Sequence, residues 1–342
     1  MENNIKVGIS IGDMNGIGVE VILKTFDETE ILDFCTPIIF ASNRIISFQK
    51  RHFNTQANFQ GIEKIENAID GKINVLNCWK ENPNTNFGQV TDEAGKYALL
   101  SLQAATEALK NGSIDVLVTA PINKNNIQSD EFHFPGHTDY LAQELGGKSL
   151  MFLVSDDIKV GLLTDHVPIR EVSPLITEKL ITEKVQMMDE SLRRDFRLQR
   201  PKIAVLGLNP HCGDSGVIGA EDDEIIRPTL KKIFEKGILV FGPFSADGFF
   251  ASQNYLDYDG IIAPYHDQGL IPFKTLTFGN GVNFTAGLDK IRTSPDHGTA
   301  YEIAGKGEAH HESFRKAVYQ AIDIFRNRTE YDELMQNRMK SK

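Results

Sequence analysis

The feature that most restricts the fold is an alternation. Short, branched, apolar runs recur along the chain, at 5–11 (IKVGISI), 37–41, 73–77, 114–120, 150–154, 159–164, 202–208, 237–242 and 259–264. Runs of this kind, apolar on both faces, suit strands covered on each side by helices. Amphipathic segments lie between several of them. After Thr177, the residues Ile181, Val185, Met188, Leu192 and Phe196 return at intervals of three or four, which predicts a helix with Thr177 as its N-cap. A second helix is predicted from Thr91 to Lys110, with Gly112 just beyond, and a last one over 312–328. Strands alternating with helices point to α/β architecture with largely parallel sheets. At 342 residues the chain exceeds the ~100–200 of a single domain, so two are expected, each with its own core. A polar loop at 79–89 interrupts the pattern, and no linker marks a boundary.

Charge and cysteine usage remove several function classes. Lys and Arg number 36 against 47 Asp and Glu, a formal charge of −11, which provides no general positive field for nucleic acid or anionic lipid. The N-terminus, MENNIKVGIS, lacks a basic stretch followed by an apolar one, and no apolar run approaches the ~20 residues that span a bilayer. A cytoplasmic protein is expected, with neither nucleic acid nor membrane as partner. Cys35, Cys78 and Cys212 are far apart with no C-x-x-C pair, so reduced thiols are expected.

Three histidines share a local context. VGLLTDHVP, IAVLGLNPH and GIIAPYH each carry a strand-like run into a histidine, at His166, His211 and His266. In an open parallel sheet, groups just past the carboxyl ends of strands converge on one edge, so the three imidazoles could meet there. Neutral imidazole is the commonest protein ligand for Zn, Fe, Ni or Cu, and three of them with a vacant position describe a catalytic site. The block GISIGDMNGIG follows a strand and opens a helix, yet its glycines at 8, 12, 16 and 18 fit neither G-x-G-x-x-G nor the phosphate-loop pattern.

Taken in order, GISIGDMNGIGVE, VTAPINK, FPGHTDYLA, DHVPI, GLNPHCGDSGVIGAED, GPFSADGFF, YHDQGLIPFK and IRTSPDHGTA resemble the signature blocks of the 4-hydroxythreonine-4-phosphate dehydrogenase family of pyridoxal 5′-phosphate biosynthesis. The resemblance covers about residues 7 to 308. It implies two α/β/α domains with a cleft between them, the fold of the isocitrate and isopropylmalate dehydrogenases. The expected division is 1–128 with 280–342, carrying the N-terminal strands and the nicotinamide loop, and 129–279, carrying the metal histidines and dimer contacts. It further implies a homodimer with the active site at the interface, and ligands of one metal drawn from both subunits.

Site residues follow from the same resemblance. His166, His211 and His266 fall on the metal positions, with Zn the first choice and Mg, Co or Mn as alternatives. His137, Thr138, Lys274, Asn283 and Arg292 fall on the substrate positions, where phosphate and carboxylate call for fixed cations and neutral donors. Thr138 also suits capping of the helix DYLAQELGG, and Lys124 is a second-tier candidate. Asp247 and Asp267 are the carboxylates expected near the metal, either of them able to orient an imidazole or take the hydroxyl proton. The segment DHGTAYEIAGKGEA resembles the adenosine loop of isopropylmalate dehydrogenases, which assigns His297, Gly298, Thr299, Ala300 and Glu302 to the cofactor. An acid such as Glu302 accepts from a ribose 2′-hydroxyl and repels a 2′-phosphate, favouring NAD over NADP.

The implied reaction is oxidation of 4-phosphooxy-L-threonine to a β-keto acid that loses carbon dioxide, giving 3-amino-2-oxopropyl phosphate. A related dehydrogenase of 4-phosphorylated erythronate or threonate is the alternative, and a metallohydrolase or an acyl-transferring relative of the same fold stands further off. Two departures from the family pattern bear on this. Met14, Asn15 and Val19 replace the usual Pro, Ala and Pro, which is expected to loosen the turn. Cys212 replaces the usual alanine beside His211 and Asp214 the usual glutamate, so a thiol is expected to compete for the ion.

Overall fold

The computed structural model describes residues 4–337. The chain divides into two compact units, Met1–Gly147 with Leu288–Phe325, and Lys148–Gly287 with Arg326–Lys342. The strands run in chain order as β1 (Ile5–Ser10), β2 (Cys35–Ala41), β3 (Phe59–Ile62), β4 (Ile73–Asn77), β5 (Val116–Thr119), β6 (Leu150–Val154), β7 (Lys159–Leu162), β8 (Lys202–Leu206), β9 (Leu239–Phe244), β10 (Gly260–Ala263), β11 (Val282–Ala286) and β12 (Ile291–Pro295). The α/β alternation read from the sequence is therefore the architecture. No helix among the described residues is long and apolar enough to cross a membrane.

In the first unit the strand order is β3-β4-β2-β1-β5-β12, with every neighbouring pair parallel. Parallel pairing needs crossovers, and the helix Asp92–Lys110 supplies one. It starts where Thr91 Oγ1 accepts the Ala94 N–H at 3.2 Å. Ser101, fully buried in its middle, accepts from Ile11 N at 3.0 Å and donates to Phe40 O at 2.6 Å, which pins the helix across the ends of β1 and β2. Leu102, Leu109, Leu117, Phe132, Tyr140 and Leu141 pack in one cluster beneath it. Truncating a fully buried leucine such as Leu102 to alanine would cost about 2–5 kcal/mol. That cluster explains why the first unit extends to Gly147 and not to residue 128: Phe132, Tyr140 and Leu141 belong to its core.

The second unit has the order β11-β6-β7-β10-β8-β9. Here β7, β10, β8 and β9 pair in parallel, whereas β6 is antiparallel to both β11 and β7. The exception within these largely parallel sheets has a local cause: Asp156 and Asp157 lie in a tight turn closed by Ser155 N to Ile158 O at 3.0 Å, too short for a crossover. The helix Glu178–Arg194 forms as predicted, with Thr177 Oγ1 accepting from Leu180 N at 3.2 Å and Ile181, Val185, Met188 and Leu192 buried. Phe196, beyond its end, meets Phe152 and Phe284 edge-on. The final helix runs from Glu312 to Gln336, past the predicted end at 328. Its last part belongs to the second unit, where Arg328 pairs with Asp195 and Asp332 with Arg194.

Candidate active site

The strands β7, β10 and β8 are consecutive neighbours and parallel, so their carboxyl ends face one edge of the second sheet. His166 follows β7, His211 follows β8, and His266 opens the helix His266–Thr277 after β10. The rings of His166 and His266 come together, their centroids 5.6 Å apart and inclined at 42°. His266 Nδ1 lies 2.7 Å from Asp267 Oδ1. A carboxylate on Nδ1 fixes the tautomer that leaves Nε2 as a metal-binding lone pair, the usual second partner of a ligating imidazole. The donor set therefore fits a divalent ion at this pair.

His211 does not join the other two. Among the described residues no group of three or more His, Cys, Asp or Glu side chains has the spacing to hold an ion, so within one chain the expected trio is a pair plus one. His211 lies instead by Asp247, whose carboxyl is held below its usual range first by the Ser245 hydroxyl, then by the Gly248 N–H, with the charge of His211 adding to them. The reason lies in the backbone. Residues His211 to Ser215 all have positive φ, from 45° to 81°, and wind a short left-handed turn. Such a conformation costs roughly 1–2 kcal/mol for a residue with a Cβ, and persists only where its surroundings over-determine it. Here the fully buried Asp222 accepts from Leu208 N at 2.8 Å and from Asn209 N and Nδ2 at 3.0 Å. Gly213 closes against Gly219, whose carbonyl would stand 2.2 Å from any Cβ there.

Cys212 shares this turn, its Sγ 3.5 Å from Pro243 O. Burial, with Asp222 next in effect, pushes its thiol above the ordinary value. Asp222 and Ser245 carried no sequence signal beyond an acidic run and a Ser-x-Asp turn.

Of the residues expected to bind substrate, some belong to each unit. In the first, Arg292 sits on β12, 2% exposed, with Nε and Nη2 donating to Thr119 Oγ1 of β5 at 3.0 and 2.6 Å. Burial pushes its guanidinium down to about 9. His137 opens the helix His137–Leu145 and is held well below its usual range by burial, then by the charges of Arg292 and Lys124. The imidazole is thus neutral, flanked by two cations, and its buried Nε2 takes no hydrogen bond from the protein. Thr138 is a buried residue inside that helix; Gly136, not Thr138, occupies the cap position, which corrects the capping alternative. In the second unit, Lys274 is exposed on the helix His266–Thr277, and Asn283 on β11 has a buried Oδ1 without a protein donor. Orphaned buried polar atoms are rare enough to mark places where a ligand supplies the missing partner.

The proposed cofactor loop is a series of turns after β12 in the first unit. Ala300 has φ +45°, Gly298 has open space where a Cβ would be, and Glu302 is exposed. His297 Nδ1 contacts Gly298 O at 3.1 Å, while its buried Nε2 takes no protein hydrogen bond. These features fit a nucleoside: an exposed carboxylate for a ribose diol and an orphaned ring nitrogen. The loop's far end is tied to the helix Gly18–Asp27, where Lys24 Nζ donates to Gly307 O at 2.8 Å and Ala309 O at 2.9 Å. The buried Glu20 accepts from both Lys24 Nζ at 2.8 Å and Ala309 N at 3.0 Å. Neither residue was singled out from the sequence, although E-x-x-x-K one helical turn apart is a readable pair.

Comparison with known proteins identifies the family. The profile of the pyridoxal phosphate biosynthetic protein PdxA family matches residues 33–321. A 4-hydroxythreonine-4-phosphate dehydrogenase from Bacteroides thetaiotaomicron is 51% identical over 329 residues, 96% of this chain and 90% of its own. A relative from Oceanobacillus iheyensis bearing a D-threonate 4-phosphate dehydrogenase name is 34% identical over 93% of this chain and 97% of its own. Among solved structures, the 4-hydroxythreonine-4-phosphate dehydrogenase of Klebsiella pneumoniae superposes with a TM-score of 0.81 at 32% identity, over 95% of this chain and 98% of that one. The chain belongs to the PdxA family of pyridoxal phosphate biosynthetic proteins.

Proposed function

We propose that this protein is a cytoplasmic, NAD-dependent, metal-dependent dehydrogenase that oxidises 4-phosphooxy-L-threonine with loss of carbon dioxide, yielding 3-amino-2-oxopropyl phosphate for pyridoxal phosphate. The observation that carries the metal reading is the His166–His266 pair with Asp267 on Nδ1. His166, His211 and His266 would hold the ion, Zn by the nature of the ligands. Bound there, it would polarise the substrate hydroxyl and stabilise the enolate that decarboxylation leaves.

The chain's own groups do the rest. Asp267 is engaged in orienting His266, which leaves Asp247 to take the hydroxyl proton. Arg292 and Lys274 bind the phosphate and carboxylate, and His137, kept neutral by burial and neighbouring charge, contributes a hydrogen bond without adding charge of its own. Glu302 selects NAD by accepting from the adenosine ribose. A homodimer completes the site. Its support is the helix that begins at His266, which exposes Ile271 and Leu276 beside a cavity of about 530 Å³ lined also by Tyr255, Tyr265 and Asp267. An apolar face of this kind next to metal-binding groups suits a second copy supplying a ligand.

The test is NADH formation from 4-phosphooxythreonine, 4-phosphoerythronate and 4-phosphothreonate, each with and without a chelator. Fastest turnover on the amino acid, lost on chelation and restored by zinc, is expected. Preference for threonate would favour the activity named for the Oceanobacillus relative, and absence of NADH with all three would refute the dehydrogenase reading.

A further inference from the structure

The block GISIGDMNGIG lacks a nucleotide fingerprint, and the reaction as proposed makes no use of it. We propose that Asp13 and Asn15 are positioning residues that hold the loop 296–309 in its cofactor-binding shape, through Tyr301. The inference rests on the reading of that loop as the NAD site.

Asp13 and Asn15 are both fully buried. Asp13 Oδ2 accepts from the Tyr301 hydroxyl and from Asn126 Nδ2, each at 2.8 Å, and its Oδ1 accepts from Asn15 N at 2.8 Å. Asn15 engages the neighbouring loop with its side-chain amide and its carbonyl. Its Nδ2 donates to Gln89 O at 2.9 Å and Thr91 Oγ1 at 3.1 Å, its Oδ1 accepts from Asn86 N at 2.7 Å, and its carbonyl accepts from Gly88 N at 2.8 Å. Gly88 in turn lies against Tyr301, whose carbonyl would stand 2.9 Å from a Cβ at that glycine. Where the loss of two prolines is expected to loosen this turn, side-chain hydrogen bonds from Asn15 act against it.

The contacts bracket one strained residue. On one side of Ala300, Thr299 O accepts from Ile17 N at 3.0 Å and crowds Gly16 so closely that a Cβ there would come within 2.7 Å of it. On the other side stands Tyr301, its hydroxyl kept protonated by burial first and by Asp13 second. Ala300 itself has φ +45°, which a residue with a Cβ adopts only under constraint. The loop is therefore shaped before any ligand arrives, and a cofactor that meets a preformed site does not bear the cost of ordering it. Removing the clamp transfers that cost to NAD binding and leaves the reacting atoms untouched.

The experiment uses the full-length protein with its metal. NAD dissociation constants come from fluorescence titration, and Michaelis constants for both substrates from steady-state rates, for wild type and for Tyr301→Phe, Asp13→Asn and Glu302→Gln. Tyr301→Phe keeps the ring and should weaken NAD about tenfold, equivalent to ~1.4 kcal/mol and of the size of one lost hydrogen bond to a charged group. Its kcat at saturating NAD and its Michaelis constant for the phosphorylated substrate should stay within about twofold. Asp13→Asn, which retains one acceptor oxygen, should fall between that variant and wild type. If Glu302→Gln weakens NAD while Tyr301→Phe does not, the clamp is wrong and the cofactor loop stands. If neither moves NAD binding, the loop is not the cofactor site and the inference falls with it. A lowered melting temperature or kcat in Tyr301→Phe with unchanged NAD affinity would also overturn it, since that is a purely structural role.

Discussion

Glycine at positions 214 and 215 should make this protein more stable. Asp214 and Ser215 have φ of +45° and +56° in the turn that carries His211, and both are exposed. A left-handed conformation costs a residue with a Cβ about 1–2 kcal/mol. Glycine escapes that cost but loses about 0.5–1 kcal/mol more on folding through its freer unfolded chain. The balance is a gain of about 0.5–1 kcal/mol per site, and somewhat less than twice that for the pair, because adjacent substitutions couple. For a unit of this size, each kcal/mol raises the melting temperature by roughly 2–4 °C. Thermal melting with a urea titration checks this, the denaturation slope staying constant if only stability has changed. As a control, glycine at the helical residue Lys231 should cost about 1 kcal/mol. A lower melting temperature in both single variants at the turn would refute the reasoning, since it would mean that the backbone gains nothing from losing the Cβ. The same variants should bind metal less tightly, because a turn freed to move no longer presents His211 in one place.

Two other perturbations test the site. The Ser245 hydroxyl is the first cause of the depressed Asp247 carboxyl, so Ser245→Ala removes a hydrogen bond to the charged form and raises that pKa. If Asp247 takes the substrate proton, the acid limb of the kcat/KM profile moves to higher pH; a limb that stays in place excludes Asp247 as the base. Arg292→Met removes a buried guanidinium and should raise the Michaelis constant for the phosphorylated substrate about 100-fold, the size expected of a lost charged contact of ~3 kcal/mol. An unchanged constant would take Arg292 out of the anion site.

What could be read from the sequence depended on whether a residue's burial served packing or binding. Strands such as β1, with Ile5, Val7 and Ile9, and β10, with Ile261 and Ile262, are rich in branched apolar residues, and their positions follow from pattern alone. β12 reads IRTSP and is buried along its whole length, yet Arg292, Thr293 and Ser294 hide it from any hydrophobic pattern because they are buried in order to hydrogen-bond. β11 is hidden because the half-buried Asn283 and the buried Thr285 interrupt its apolar residues, and β3 because it is a half-exposed edge strand containing a glycine. The β6–β7 hairpin was readable, since four residues between two strands cannot hold a crossover. The three histidines were visible through their shared context, but the separation of His211 from the other two depends on five consecutive left-handed residues, four of which are not glycine. No local signal predicts that, because the Asp222 clamp reaches it from a different segment of chain.

Asn15 carries a warning for anyone who would engineer this enzyme by averaging over its relatives. Replacing it in isolation with the commoner alanine would remove its hydrogen bonds to the Asn86 amide and the Gln89 carbonyl, at a net cost of about 0.5–1.5 kcal/mol each. The asparagine and residues 86–91 are bonded as one unit, to be transplanted whole or left alone.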